Sequence, residues 1–226
     1  MYYLWDVTFL MLIPALIFSI YAQIRVRTSF NRYSQVANSR GITGAQTAQQ
    51  ILSANGLNDV KIEVVPGSLT DHYDPRSKTL RLSRDIFHGK SISALGIAAH
   101  ESGHAVQHAS RYGPLAFRNA FYPIANIGSA LAFPLFIMGF LFSFRPLIDI
   151  GIIAFTAAVI FTLITLPVEF NASKRAVAAL ETYGFLGSNE LPMAKSVLNA
   201  AAMTYVAATA MALLQLLRLL LLRNRS

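Results

Sequence analysis

The sequence predicts a predominantly α-helical integral membrane protein with a small aqueous α+β portion. Three observations support this class: 54% of the 226 residues are hydrophobic, only 13% are charged, and four long stretches carry no formal charge. A soluble domain usually has about a quarter of its residues charged, whereas a bilayer-spanning helix needs about 20 mostly apolar residues. This composition also excludes an intrinsically disordered chain, which combines low hydrophobicity with high net charge.

Four uncharged segments predict four transmembrane helices within a single membrane domain covering residues 1–226. The segments are 7–24, 119–144, 150–168 and 196–217, and they leave 25–118 and 169–195 in water. Arg25, Arg27 and Arg32 follow the first segment, so the positive-inside bias places that loop in the cytoplasm. We therefore expect a multi-pass protein of the cell (inner) membrane. Its net charge of +8 is then a signal of topology and lipid headgroups, and no nucleic-acid partner is expected.

The aqueous segment 25–118 contains two helix-start signals. Thr43 with Gln46 resembles a capping box that opens a short helix. Ser91 is placed to cap a second helix over residues 92–110. The second of these helices carries the residues that point to a chemical function.

Two short runs in the same segment have the pattern of strands. Lys61–Val65 and Thr79–Ser83 are β-branched or alternating, and a turn rich in Gly, Asp and Pro separates them. The run at Thr79–Ser83 is expected either as a sheet edge, to which an extended substrate would add by main-chain hydrogen bonds, or as an ordinary sheet strand.

Residues 100–104 read His-Glu-Ser-Gly-His, an H-E-x-x-H pattern. Side chains at i and i+4 lie on one helix face, so His100 and His104 are placed to bind one metal ion. Glu101 is then placed to take a proton from water, whose pKa zinc lowers from about 16 toward 7. Chance placement of these three residues gives roughly 0.002 expected matches. Gly103 costs the helix about 1 kcal/mol relative to Ala, a cost that close approach of another backbone or ordinary packing would offset.

A catalytic zinc site needs a third protein ligand and one open position. The chain has no cysteine, so the ligands must be His, Asp or Glu. Glu169 is the predicted third ligand, because the chain returns to the cytoplasmic side just before it; an interfacial acid paired with a neighbouring basic side chain is the alternative. Glu181 is the second choice. His108 lies about 12 Å along the helix from His100, too far to bind the same ion.

Three stretches carry a resemblance to a known family: HESGHAVQ at 100–107, DHYDP at 71–75 and LPVEFNA at 166–172. Along nearly its whole length the chain resembles the YugP-like neutral zinc metallopeptidases of bacterial membranes, and it is similar to the HtpX-type proteases. The resemblance implies a gluzincin-like endopeptidase with one Zn²⁺ ion and with Glu169 in the ligand position. Ser173 stands where the HtpX-type proteins carry an acid, so a carboxylate that orients a zinc-bound histidine is missing there.

The expected reaction is hydrolysis of a peptide or protein substrate, membrane proteins included, with the motif glutamate as general base. The reaction also needs a partner for the oxyanion. His72, Tyr73 and Tyr183 are the expected partners, and simple packing is the alternative role for each. Asp71, Asp74 or a backbone carbonyl is expected to take the place of the missing acid.

Two other classes remain open at this point. A membrane scaffold or regulatory protein with a structural zinc site would need four protein ligands, with His108 or Glu181 as the fourth. A channel or transporter usually carries ionisable residues inside its spans, and the four segments have none well inside. The alanines of the last segment allow close helix packing, either within the bundle or in a homo-oligomer.

Overall fold

The chain is mostly helical, as predicted, in the computed structural model, which describes residues 7–224. A 3₁₀ turn at Val7–Leu12 precedes the first helix. The α-helices are α1 Ile13–Ser34, α2 Gly44–Ala54, α3 Arg84–Phe87, α4 Ile92–Ala109, α5 Gly113–Leu141, α6 Arg145–Thr182 and α7 Leu191–Arg223. The strands are β1 Lys61–Val65, β2 His72–Asp74 and β3 Thr79–Ser83.

Two compact units make up the fold. The first falls within Met1–Gln23, Ala116–Pro167 and Thr204–Ser226, and the second within Ile24–Leu115 and Val168–Met203.

Within residues 7–224, four helices are long and apolar enough to cross a membrane, which is the predicted number. They are Thr8–Ser34, Gly113–Leu141, Arg145–Thr182 and Leu191–Arg223. Each extends beyond its predicted uncharged segment, because helical hydrogen bonds continue past the first charged residue. As a result Glu169 lies on a continuous helix rather than at the start of a loop.

In the first unit, glycines let α5 and α6 approach at backbone distance. A Cβ atom at Gly139 would lie 2.6 Å from the Ile148 nitrogen, and one at Gly151 would lie 2.8 Å from the Phe136 nitrogen. Small residues at such crossings are typical of helix packing in membranes. The α5–α6 pair is therefore a tightly packed helical hairpin.

The sheet of the second unit has the strand order β1-β3-β2. β1 runs parallel to β3, with Ile62 opposite Leu80, and β2 runs antiparallel to it, with Tyr73 opposite Leu80. β3 is thus the central strand, and the expectation that Thr79–Ser83 forms a sheet edge is wrong. The reason is that β1 and β2 pair with opposite sides of β3, although β2 lies between β1 and β3 in the sequence. Strand patterns do not reveal such an order.

Both predicted helix starts in this unit are confirmed. The Gln46 amide donates to Thr43 Oγ1 at 3.1 Å, and the Thr43 amide donates to Gln46 Oε1 at 2.8 Å. Ser91 Oγ accepts from the Ala94 amide at 3.1 Å and caps α4.

α4 is the central helix of this unit, because two of its faces are buried in different clusters. Ala94 and Ala98 pack with residues of α2 and β3. Leu95 and Ala99 pack with residues of α6 and α7. This double packing holds α4 rigidly against α6, and the candidate metal ligands lie on these two helices.

Candidate metal centre

His100, His104 and Glu169 meet where α4 packs on α6. His100 Nε2 lies 3.3 Å and His104 Nε2 lies 3.6 Å from Glu169 Oε2. The three potential ligand atoms all lie within 4.8 Å of one another. The structure therefore brings together the three side chains that the sequence singled out as ligands.

The chemistry of this donor set fits a zinc ion. Two imidazole nitrogens and one carboxylate oxygen are the protein ligands of many catalytic zinc sites, which keep a fourth position for water or substrate. Among residues 7–224, the cluster contains these three His, Asp or Glu side chains. Glu169 is only 4% exposed, and a carboxylate buried to this extent is costly unless a cation or hydrogen-bond donors compensate its charge.

The electrostatics of the cluster favour a positive charge. Burial alone would lower the pKa of His104, but the adjoining Glu169 carboxylate and the charge of Glu101 raise it above its ordinary value. Either a proton on this ring or a bound metal ion would offset the negative charge of the same two carboxylates, those of Glu101 and Glu169. The site is thus electrostatically suited to a cation.

Gly103 lets α6 come this close to the metal-binding face of α4. A Cβ atom at Gly103 would lie 2.8 Å from the Ala172 carbonyl oxygen and 3.4 Å from its Cα atom. Of the two reasons expected for this glycine, close approach of another backbone is confirmed. Ala172 follows Glu169 by less than one helical turn, so the same contact sets the position of the carboxylate.

The second ring nitrogen of each histidine has its own hydrogen-bond partner. His100 Nδ1 lies 3.1 Å from Ser173 Oγ, and His104 Nδ1 lies 3.0 Å from Gln107 Oε1. Such contacts fix the orientation of ligand rings and leave the other nitrogen for the metal. In the sequence, Ser173 stands out only as a missing acid, and Gln107 does not stand out at all. The one sequence feature that both share is spacing, because each lies about one helical turn after a candidate ligand.

Asp71 and Asp74 do not take the place of the missing acid. Asp71 accepts from the Ser83 amide at 2.7 Å, and Asp74 accepts from the Arg76 amide at 2.9 Å in the turn after β2. Burial raises the pKa of Asp71, although its bonds to Ser83 lower it, and the nearby Glu101 charge raises it further. Asp71 is therefore a neighbour of the motif glutamate rather than a partner of a ligand histidine.

The three expected oxyanion partners lie in different surroundings. The Tyr73 hydroxyl lies 3.0 Å from His108 Nδ1, one turn beyond His104 on α4. His72 is exposed, with its Nδ1 2.8 Å from the Thr70 carbonyl oxygen. The Tyr183 ring packs on a neighbouring phenylalanine, 5.7 Å between centroids. Of the three, Tyr73 is the one with a hydrogen bond to the helix that carries the motif.

Glu181 does not complete the cluster. It is exposed on α6, and at 1.5 Å per residue it lies about 18 Å along the helix from Glu169. His108 is likewise absent from the group of converging ligands. Neither side chain thus supplies the fourth ligand that a closed structural site would need.

Comparison with known proteins agrees with this geometry. A family described as "Putative neutral zinc metallopeptidase" matches residues 8–224. The chain belongs to this family. It is also 50% identical over 210 residues, 93% of each chain, to a Bacillus subtilis (strain 168) protein named "Putative membrane protease YugP". The resemblance seen in the sequence motifs is thereby confirmed. No solved structure matches the chain.

Proposed function

We propose that this member of the family is a zinc-dependent endopeptidase of the cell membrane. The observation that carries the proposal is the convergence of two imidazole nitrogens and one buried carboxylate within 4.8 Å. A fourth residue, Glu101, follows the first of these histidines on the same helix. This is the set of side chains that metal-assisted peptide hydrolysis requires.

Each side chain has a role set by its position. His100 and His104 would hold one zinc ion through Nε2, and Glu169 would hold it through Oε2. The bound ion would polarise the scissile carbonyl and lower the pKa of a water molecule to about 7. Glu101 accepts the proton of the attacking water and passes it to the amine nitrogen, which leaves as the carbon–nitrogen bond breaks.

Tyr73 is the proposed partner of the oxyanion. Its hydroxyl is held against α4 by His108 Nδ1. With the hydrogen of that contact on Nδ1, the hydroxyl accepts from His108 and keeps its own hydrogen for the oxyanion. A single donor of this kind is typically worth about 10²- to 10³-fold in rate.

The number of donors supports catalysis over a structural metal role. A structural zinc site is closed by four protein ligands, whereas three His, Asp or Glu side chains converge in the described part of this chain. A scaffold or regulatory protein with a structural zinc remains the rival, and the experiment below separates the two.

The site is proposed to face the cytoplasm. Arg25, Arg27 and Arg32 follow the first span, and positive residues near span ends are enriched on the cytoplasmic side. The substrate is then a peptide or protein that reaches the cytoplasmic membrane face, membrane proteins included.

Replacement of Glu101 tests the mechanism. Glu101→Gln keeps the size of the side chain but removes its capacity to accept a proton, while all three ligands remain. Purified Glu101→Gln is expected to contain one zinc per chain and to cleave casein at least 10²-fold more slowly than wild type. Zinc content by elemental analysis and cleavage by gel or fluorescence are measured on the same preparation.

Glu181→Gln is the matched control, because Glu181 is exposed and lies far along α6. It is expected to keep both zinc and cleavage. Full cleavage by Glu101→Gln would remove Glu101 from the mechanism. A wild-type protein that binds zinc but cleaves neither casein nor peptides would favour the scaffold.

A further inference from the structure

A chain of hydrogen bonds extends from His104 into α6. Gln107 Oε1 lies 3.0 Å from His104 Nδ1, and Gln107 Nε2 donates to the Val168 carbonyl at 2.8 Å and to Asn171 Oδ1 at 3.0 Å. Asn171 Oδ1 also accepts from Arg175 Nε at 2.8 Å. Gln107 is fully buried, so water does not compete for these bonds.

The direction of every bond in this chain follows from two groups whose character is fixed. A backbone carbonyl, here that of Val168, only accepts, and the Nε–H of Arg175 only donates. Asn171 must therefore present its oxygen to Arg175. Gln107 must present its NH₂ group to both Val168 and Asn171, and this group has two hydrogens for two acceptors.

The remaining atom of the Gln107 amide, its carbonyl oxygen, then faces His104. A carbonyl oxygen accepts only, so His104 Nδ1 must carry a hydrogen. Nε2 lies 3.6 Å from Glu169 Oε2, and in the metal-free protein this carboxylate attracts a proton to Nε2 as well. When that carboxylate is removed, a neutral ring that donates from Nδ1 has its lone pair on Nε2.

We propose that Gln107 is a positioning residue that holds His104 in the Nδ1–H tautomer, with Nε2 ready to bind a cation. The consequence for metal binding rests on the proposed zinc site, but the placement of the proton does not. The donor and acceptor directions in this series of hydrogen bonds are set by two groups outside the metal cluster, the carbonyl of Val168 and the guanidinium of Arg175.

His100 provides an internal contrast. Its Nδ1 lies 3.1 Å from Ser173 Oγ, and a hydroxyl group both donates and accepts. Ser173 therefore does not fix the tautomer of His100, and in the metal-free protein the acceptor nearest to its Nε2 is the Glu169 carboxylate, at 3.3 Å. The two ligand rings differ in this respect although they are one turn apart on the same helix.

Two substitutions of Gln107 separate positioning from packing. Gln107→Met has nearly the same shape but offers no oxygen to His104. Gln107→Glu keeps an oxygen facing Nδ1, yet it has no hydrogen for Val168 and Asn171, so it disturbs the packing of α4 on α6 more. If Gln107 only supports packing, Gln107→Glu should be the more harmful of the two substitutions. If Gln107 positions His104, only Gln107→Met should change the proton distribution on that ring.

The readout is the proton distribution on the ring of His104, measured by ¹⁵N NMR of histidine-labelled, metal-free protein at alkaline pH. The measurement is made in a Glu169→Ala background, which removes the carboxylate that competes for a proton at Nε2. In this background, the protein with Gln107 and the one with Gln107→Glu are expected to carry the proton on Nδ1, and Gln107→Met is expected to populate the Nε2–H form. Ser173→Ala is the control: it should change the signals of His100 and leave those of His104.

Zinc affinity, measured by competition with a chromogenic chelator, provides the second readout. Gln107→Met is expected to bind zinc about 10- to 100-fold more weakly, the usual cost of losing such a contact, while Gln107→Glu keeps its affinity. In the Glu169→Ala background, an Nε2–H ring with Gln107 in place, or an unchanged ring in Gln107→Met, would overturn the proposal. Failure of wild type to cleave any substrate would count against the proposed function alone, because the ring readout does not depend on it.

Discussion

Glu169 is the residue on which the candidate centre depends most. Its side chain is buried, and its oxygen Oε2 contacts both imidazole rings. Removing one partner from a buried charged cluster usually costs more than the partner's own contacts, because the other groups are left uncompensated. At the residue scale, this carboxylate is therefore the most direct test of the centre.

Glu169→Ala is expected to abolish stoichiometric zinc binding. The two histidines would remain as a two-ligand site without a carboxylate to offset the charge of the cation. Metal content after gel filtration, with equilibrium dialysis for affinity, is the measurement.

The matched control for this substitution is Glu181→Ala, which removes a carboxylate from the same helix but from an exposed position. It should leave zinc binding unchanged. Zinc retained by Glu169→Ala and lost by Glu181→Ala would show that the third ligand had been assigned to the wrong glutamate.

The candidate ligands were predictable from the sequence, but the groups that contact their second ring nitrogens were not. His100 and His104 follow from a local spacing of four residues, and Glu169 follows from a family resemblance joined to a topology argument. Gln107 and Ser173 act across the α4–α6 contact, and contacts between elements distant in sequence leave no periodic signal. A polar residue one turn from a predicted ligand is the nearest clue.

At the scale of elements, the contact between α4 and α6 determines the geometry of the centre. Gly103 is a point of backbone-to-backbone contact, with the Ala172 carbonyl where a side chain would otherwise lie. A shift of one helix against the other at this contact would change the distance between the histidines and the carboxylate.

Gly103→Ala tests this contact. The added methyl would lie 2.8 Å from the Ala172 oxygen, and relief of such overpacking costs about 1–3 kcal/mol. We expect zinc affinity to fall by about 5- to 140-fold, since each 1.4 kcal/mol is a factor of ten. Chelator competition measures the change.

Gly96→Ala is the control on the same helix, because its Cβ would lie 3.8 Å from the Ala194 Cβ, an ordinary contact. It should keep zinc affinity and gain up to about 1 kcal/mol of stability from helix propensity. Equal effects of the two substitutions would mean that the α4–α6 contact does not control the site.

The turn between β2 and β3 offers a pH-dependent test of stability. Hydrogen bonds from Ser77 and from the Arg76 amide lower the pKa of Asp74 from 3.8 to about 2. Because the folded-state pKa is the lower one, this stabilisation is present above pH 3.8 and is lost as the pH falls toward 2.

Asp74→Asn should therefore melt below wild type at pH 7, and the difference should shrink as the pH falls from 4 toward 2. Thermal unfolding in detergent, followed by circular dichroism at each pH, measures this difference. A gap in melting temperature that stays constant between pH 7 and pH 3 would contradict the assigned role of the carboxylate.

The aqueous elements differ in how well the sequence predicts them. β1, β3 and α4 have clear patterns or caps and were predicted within a residue of their ends. β2 has only three residues, too few for an alternating pattern to be visible. It lies within the Gly-, Asp- and Pro-rich segment that was predicted to be a turn. The parallel pairing of β1 with β3 depends on β2 occupying the opposite side of β3, which is a tertiary property.

At the scale of the whole molecule, one charge pair lies where the predicted topology conflicts with the positive-inside bias. Alternation of four spans sends Arg223 to the side opposite the cytoplasm, against that bias. The structure pairs this guanidinium with Asp149, with Arg223 Nη2 3.1 Å from Asp149 Oδ2. Acidic residues contribute little to the bias, so the pair gives Arg223 a partner without removing the conflict, and labelling decides the orientation.

The absence of cysteine makes the topology directly testable. Ser143→Cys lies between α5 and α6, and Ser68→Cys lies in the exposed loop after β1. A membrane-impermeant maleimide is expected to label position 143 in intact cells and position 68 only after lysis. The reverse pattern would place the candidate centre outside the cytoplasm.

The unbroken course of α6 has a mechanical consequence. One helix of 38 residues contains both a candidate membrane span and the acid of the candidate centre. An axial slide of one turn, about 5.4 Å, would carry that acid out of reach of both rings. Spans adjust their tilt to bilayer thickness, so the zinc affinity of this centre is expected to differ between thinner and thicker lipid mixtures.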